Sequence, residues 1–412
     1  MSDWLAPDAP PRLLTLRFAL VVTSGLAYFL ALGMLLPVVP LFVKDELHGN
    51  NVAVGVVVGA FAVGAVLLRP FAGRIGDRVG RRVLIVGGAV IVGAAGLLYI
   101  LASGLVSLVA VRVLAGIGEA AFFVGAASMI TDLSPEARRG EAISYWSVAV
   151  YGGLAFGPLL GNVMLANDHF DRVWIVSAGL AFVAAAIGLC TRETVTPAGA
   201  RAAGEPRPPL ISRPALAPGA VLFLGLIGLA GFTEFVPLYV KQIGMKNSSS
   251  VFLLYGCLIL GVRIFGARVP DRIGPLRAGS IATVTAAAGL LLMAAISSPL
   301  GLYAGTVVFS VGMSFLYPAM LTLALTGLSS TERGSAVGTV SSFFDLSQGV
   351  GALLLGIVAA VAGYRGAFVA GAVLAVAALV LLRTGTDTGV HDPIDHDAAA
   401  LARESLEPDS PA

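Results

Sequence analysis

The chain has 412 residues, of which 57% are hydrophobic and only 12% charged, with a formal net charge of +2. A water-soluble domain carries about 25% charged residues, so this chain has too little polar surface to cover a globule in water, and its solvent is lipid. The small net charge excludes a nucleic-acid surface, and two cysteines in apolar runs, Cys190 and Cys257, give no disulfide framework.

A bilayer core takes about 20 apolar residues per helix. Twelve such runs follow in order: 16–43, 53–72, 83–102, 105–130, 141–165, 172–191, then 216–241, 249–268, 278–296, 300–328, 335–360 and 364–383. The first is too long for a cleavable signal and passes straight into the body of the chain. The pattern predicts an all-α membrane protein: a tail over 1–15, a six-helix bundle over 16–191, a linker over 192–215, a second bundle over 216–383 and a tail over 384–412. The linker is rich in Pro, Arg, Ala and Gly and reads as flexible. The acidic, Pro-containing tail reads as disordered, and its His391, Asp392, His396 and Asp397 have nothing to fix them as metal ligands. Of the 26 Lys and Arg residues, 18 fall on the side of the two termini and 5 on the other, with Arg69, Arg112 and Arg263 inside helices. Basic loops stay in the cytoplasm, so both termini are expected there.

The second and third runs are joined by a charged turn, Arg69-Pro70-Phe71-Ala72-Gly73-Arg74-Ile75-Gly76-Asp77-Arg78-Val79-Gly80-Arg81-Arg82. It nearly recurs 194 residues later, where Arg69 meets Arg263, Arg74 meets Arg268, Asp77 meets Asp271, Arg78 meets Arg272 and Gly80 meets Gly274. Arg139-Gly140 meets Arg333-Gly334 at the same offset. Two loops in register argue for two copies of one six-helix unit.

Gly73, Asp77, Arg78, Gly80, Arg81 and Arg82 match Gly-x-x-x-Asp-Arg-x-Gly-Arg-Arg, which resembles the signature between helices 2 and 3 of the major facilitator superfamily. The resemblance covers about 16–383 and implies two pseudo-symmetric six-helix bundles. It also implies a latch at the cytoplasmic face made by Asp77 and the arginines, with Asp271 and Arg272 as the degenerate copy and Gly334 as the expected partner of Asp77. Gly153, Gly157, Pro158 and Gly161 resemble the fifth-helix motif of the family's antiporters, Gly-x-x-x-Gly-Pro-x-x-Gly, which implies export. That bent, smooth helix is expected at the interface of the halves.

Ionisable groups inside a membrane face a partner or a wet cavity. Arg112 and Glu119 lie seven residues apart on one helical face, about 10 Å along the axis. Glu119, tuned by Arg112, is therefore expected to carry a proton, with Asp345 in the eleventh run as a second candidate. Glu234 and Asp345 could also bind a cationic substrate, and Tyr28, Phe122, Phe123, Tyr151 and Tyr317 could line an aromatic cavity. Glu234 could instead pair with Lys241.

The leading function is a monomeric secondary transporter of the cell membrane that moves a small amphipathic drug or metabolite outward against protons by alternating access. It needs no cofactor or metal, and a phosphate-cradling Gly-x-x-x-x-Gly-Lys-Ser/Thr loop is absent. An importer of sugar, organic acid or amino acid is the second possibility. An organic-anion site would want paired arginines in mid-helix, and only Arg112 reads as deep. A membrane scaffold or sensor has little use for Arg112, Glu119 and Asp345. No His, Cys or nucleophile–base constellation points to an enzyme.

Overall fold

The computed structural model describes residues 13–135, 138–166, 169–194, 211–265, 272–328 and 330–386. In the first half, α1 is Leu16–Asp45, α2 Asn51–Val79, α3 Arg81–Leu98, α4 Leu105–Asp132, α5 Arg139–Met164 and α6 Phe170–Leu189. In the second, α7 is Leu216–Gln242, α8 Ser249–Phe265, α9 Pro275–Ala295 and α10 Pro299–Leu325. One further stretch, Ser330–Thr386, is split at Gly363, whose φ of 70° cannot continue a helix; α11 spans 330–362 and α12 spans 364–386. The described helices thus number the twelve expected. α8 ends among the described residues at 17 residues, short of a full span.

Local chemistry sets several ends. Thr15 caps α1 by accepting from the Phe18 amide, Asn50 caps α2 from Ala53, and Ser298 caps α10 from Gly301. Gly80 at φ 108° breaks α2 from α3, and Gly274 at φ 83° precedes Pro275 at the start of α9. These two glycines are the pair that the 194-residue offset aligns.

The packing repeats as well. α1 lies on α5 and α6, α2 on α4, and α3 on α4 and α6. In the second half, α7 lies on α11 and α12, α8 on α10, and α9 on α10 and α12. Each half buries its own apolar core. The halves meet through α2 with α11, α5 with α8, and α1 with α7.

The basic face of the protein is where α2 turns into α3. At the opposite face the halves close on each other. Met34, Leu35, Val38 and Val57 of the first half share one core with Phe235, Leu238 and Leu355 of the second. Asn51 donates to the Ala359 carbonyl at 2.8 Å, and Lys241 pairs with Asp45 at 2.8 Å. α2 and α11 approach over small residues: a Cβ on Gly59 would come within 2.8 Å of the Gly349 carbonyl oxygen.

Candidate functional site: a buried charge cluster between the halves

Arg69 sits about 27 Å along α2 from its start at Asn51, at the end of the helix's apolar stretch and inside α2, which runs on to Val79. Its guanidinium contacts Glu119 of α4 at 2.9 Å and Asp345 of α11 at 2.5 Å. The Glu119 contact is a hydrogen bond. The Asp345 contact is an ion pair outside hydrogen-bond alignment. All three side chains are about nine-tenths buried, with exposures of 9%, 10% and 8%. Arg69 also lies 5.1 Å from the Phe123 ring centroid. With both carboxylates ionised the triad carries a formal charge of −1, and one proton neutralises it. Glu119 belongs to the first half and Asp345 to the second, so Arg69 holds one acid at home and one across the interface.

The equivalent position in the second half is built differently. Arg263 of α8 donates to the Tyr151 hydroxyl of α5 at 2.8 Å and stacks 4.2 Å from that ring's centroid. The 194-residue offset carries Arg69 onto Arg263, Tyr151 onto Asp345 and Glu119 onto Met313. One arginine therefore faces two acids and its counterpart a phenol, with Met313 at the sequence position that corresponds to the second acid. Tyr317 of α10 lies within electrostatic reach of Arg69, Asp345 and Tyr151, and its hydroxyl is 3.1 Å from Ser341 of α11. The groups are supplied by six helices, three from each half.

Arg112 does not join Glu119. The seven-residue spacing does place them on one face, but about 10 Å apart, and Arg112 is satisfied at its own level. It donates to the Val57 carbonyl at 3.2 Å and lies 4.6 Å from the Phe61 ring centroid. Its field also reaches Glu234 of α7. Glu234 is 1% exposed, and neither carboxyl oxygen has a hydrogen-bond partner among the described residues. Lys241 is engaged by Asp45, so the pairing of Glu234 with Lys241 does not form.

At the basic face the signature loop is tied into its own half. The amides of Arg81 and Arg82 donate to the two carboxylate oxygens of Glu193, at 2.9 and 3.0 Å, which caps the start of α3. The side chain of Arg81 pairs with Asp132 at 3.3 Å, and that of Arg82 donates to the Leu189 carbonyl at 2.6 Å. A loop of this composition at the α2–α3 junction, in a twofold-repeated bundle of twelve helices, is what a family comparison tests. The sequence profile of the Major Facilitator Superfamily matches residues 21–329 and 280–406. The chain belongs to that superfamily.

Among relatives, an uncharacterized MFS-type transporter of Salmonella typhimurium is 28% identical over 362 residues, 84% of this chain and 90% of that one. The uncharacterized MFS-type transporter YhhS of Escherichia coli is 28% identical over 389 residues, 91% of this chain and 95% of that one. A bacterial homolog of the human lysosomal transporter Spinster, solved inward-facing and unoccupied, superposes with a TM-score of 0.74 at 15% identity, covering 91% of this chain and 97% of that one. The human organic anion transporter MFSD10 gives 0.69 at 19% identity, with 89% and 98% covered. At these identities the solved structures show the fold alone. The chain is a multi-pass membrane protein of a transporter superfamily.

Other expected site residues of this major facilitator chain are placed as follows. Tyr28 and Phe122 are fully buried and stacked 3.7 Å apart, inside a cluster with Phe29, Phe123 and Trp146. They are packed in the core of the first half, with the Tyr28 hydroxyl within electrostatic reach of Glu119 and Arg69. Gly153, Gly157 and Gly161 face α1, where a Cβ on Gly157 would meet the Gly33 Cα at 2.6 Å. The glycine stripe with Pro158 is thus seated within the first half. The contact of α5 with the other half is made by Ala155 against Gly256. Gly73 is open, and Arg78 and Arg272 are exposed. The Asp77 side chain, Asp271 and the Gly334 environment lie outside the described residues. Sequence reasoning missed Arg69, Arg263 and Glu193 as site residues. The equal offset of Arg69 and Arg263 was the signal for the first two.

Proposed function

We propose that the chain is a proton-coupled antiporter that exports a small amphipathic compound from the cytoplasm, with the basic face cytoplasmic. The observation that carries this is the bridging of Glu119 and Asp345, from different halves, by Arg69. When Asp345 takes up the triad's proton, Arg69 keeps only Glu119 in its own half as an ionised partner, and the attraction across α2 and α11 weakens. When it loses the proton, that attraction returns. Proton occupancy is thereby coupled to the spacing of the halves, which is the requirement for alternating access. The glycine and proline pattern at Gly153–Gly161 supports export by its resemblance to antiporters. The closed packing opposite the basic face supports a resting shape open toward the cytoplasm.

The test is flux in proteoliposomes with an imposed pH gradient, screened over neutral, anionic and cationic amphipathic compounds. Counterflow that responds to the gradient in the wild type and loses that response in Glu119→Gln supports the proposal. A wild-type response in Glu119→Gln removes it.

A further inference from the structure

The two central arginines are equivalent by position and unequal in charge balance. Arg69 has two carboxylates. Arg263 has a phenol, and its Nε is buried without a hydrogen-bond partner among the described residues. Neither helix that supplies acids to Arg69 has an equivalent to offer Arg263: Tyr151 stands where the repeat would put an aspartate, and Met313 where it would put a glutamate. No described acidic side chain pairs with Arg263. A guanidinium this far into a membrane protein is costly unless a counter-charge is near. Tyr151 holds the cation in place through its ring and hydroxyl without cancelling it.

We propose that Arg263 is the anion-binding residue of the central site, and that the transported compound carries a carboxylate or similar planar oxyanion on an aromatic or apolar body. This rests on the transporter reading above and names its substrate class. A guanidinium offers parallel donors that match a carboxylate in two-point contact, and the free Nε is one of them. The apolar body has one half-buried ring beside the cation: Tyr255 is within electrostatic reach of Arg263 and Tyr151, backed by the fully buried Phe232 at 5.0 Å between ring centroids. Tyr317 is within electrostatic reach of Tyr151 on this side and of Arg69 and Asp345 on the other, so the subsite and the triad adjoin through one side chain. The expectation that only Arg112 lies deep, which counted against an anionic substrate, is corrected by the depth of Arg69 and Arg263.

The test uses the purified full-length chain and three fluorescent compounds of one shape: naphthoate, naphthamide and naphthylmethylamine. Naphthoate should bind the wild type at least tenfold more tightly than the other two, about 1.4 kcal/mol. That preference should vanish in Arg263→Gln, persist in part in Arg263→Lys and weaken in Tyr151→Phe. Met313→Glu supplies an internal carboxylate to Arg263 and should lower naphthoate affinity at least tenfold, which keeps the test decisive if Arg263→Gln fails to fold. Equal binding of the three compounds, no binding of naphthoate, or an unchanged preference in Arg263→Gln overturns the inference. Carboxylate binding without pH-driven flux would remove the proton coupling and leave the anion site standing. Coupled flux of amides or amines alone would do the reverse.

Discussion

Asp345→Asn and Glu119→Gln alter the partners of Arg69 in opposite senses, and the two variants should move the protein in opposite directions. At the 2.5 Å of the Arg69–Asp345 contact and an effective dielectric constant of about 20, a unit charge pair gains about 7 kcal/mol. Desolvation of several kcal/mol per ion offsets most of this. The net value of a charge-assisted contact is about 2 kcal/mol. Asp345→Asn leaves Arg69 paired only inside its own half, so about 2 kcal/mol is lost from the arrangement in which α2 and α11 are bridged. That is about a thirtyfold shift in population. Glu119→Gln leaves Arg69 wholly to Asp345, so the bridge strengthens and no longer needs a proton to reach neutrality.

The assay is a distance measurement between spin labels at the exposed positions Arg74 and Arg272 on the basic face, with the exposed Cys190 and Cys257 replaced by serine. In the wild type, with both acids ionised at high pH, the triad is negative and Arg69 bridges both. Lowering the pH adds the neutralising proton and shifts the distribution away from the bridged form. Asp345→Asn should show the shifted distribution at every pH, and Glu119→Gln the bridged one. Identical distributions with an unchanged pH response in both variants would refute the reasoning.

Three further outcomes follow from the packing and the loops. Gly59→Val drives a branched side chain into the Gly349 carbonyl, costs about 1–3 kcal/mol by overpacking, and should separate labels at Glu46 and Asn247 on the face opposite the basic one. Asp45 and Lys241 are partly exposed, so their pair is worth under about 1 kcal/mol. Reversing either charge should speed opening of that face in a salt-dependent way, and reversing both should restore the wild-type rate. Glu193→Gln weakens the cap on α3 and should lower the melting temperature by the equivalent of about 1 kcal/mol, without changing the affinity for a transported compound.

The fold was legible because its determinants are local or periodic. Apolar runs, caps at Thr15 and Asn50, and glycines such as Gly80 and Gly274 act within a few residues, and the 194-residue offset exposed the repeat. The contacts of the charge cluster were not legible, because Arg69, Glu119 and Asp345 meet only when α2, α4 and α11 are assembled. The spacing of Arg112 and Glu119 misled for a definable reason. Seven residues preserve the face but advance two turns, too far for the pair to close while Val57 and Phe61 satisfy the cation nearby. Asp345 was identified as deep and ionisable, but nothing along the chain shows which cation it meets.

The offset that revealed the repeat also shows where the copies were allowed to differ. Backbone determinants are kept in register: Gly80 with Gly274, Ala155 against Gly256 as Ala62 against Gly349. Charges are not: Glu119 answers to Met313, Asp345 to Tyr151, and Arg112 to Thr306. Rocking requires the two halves to be mechanically alike, since each face must close over similar small-residue contacts. Coupling requires them to be chemically unlike, since a proton and a transported compound bound to identical sites would compete for both. Placing both acids on Arg69 and leaving Arg263 to a phenol satisfies the two requirements with the same pair of arginines.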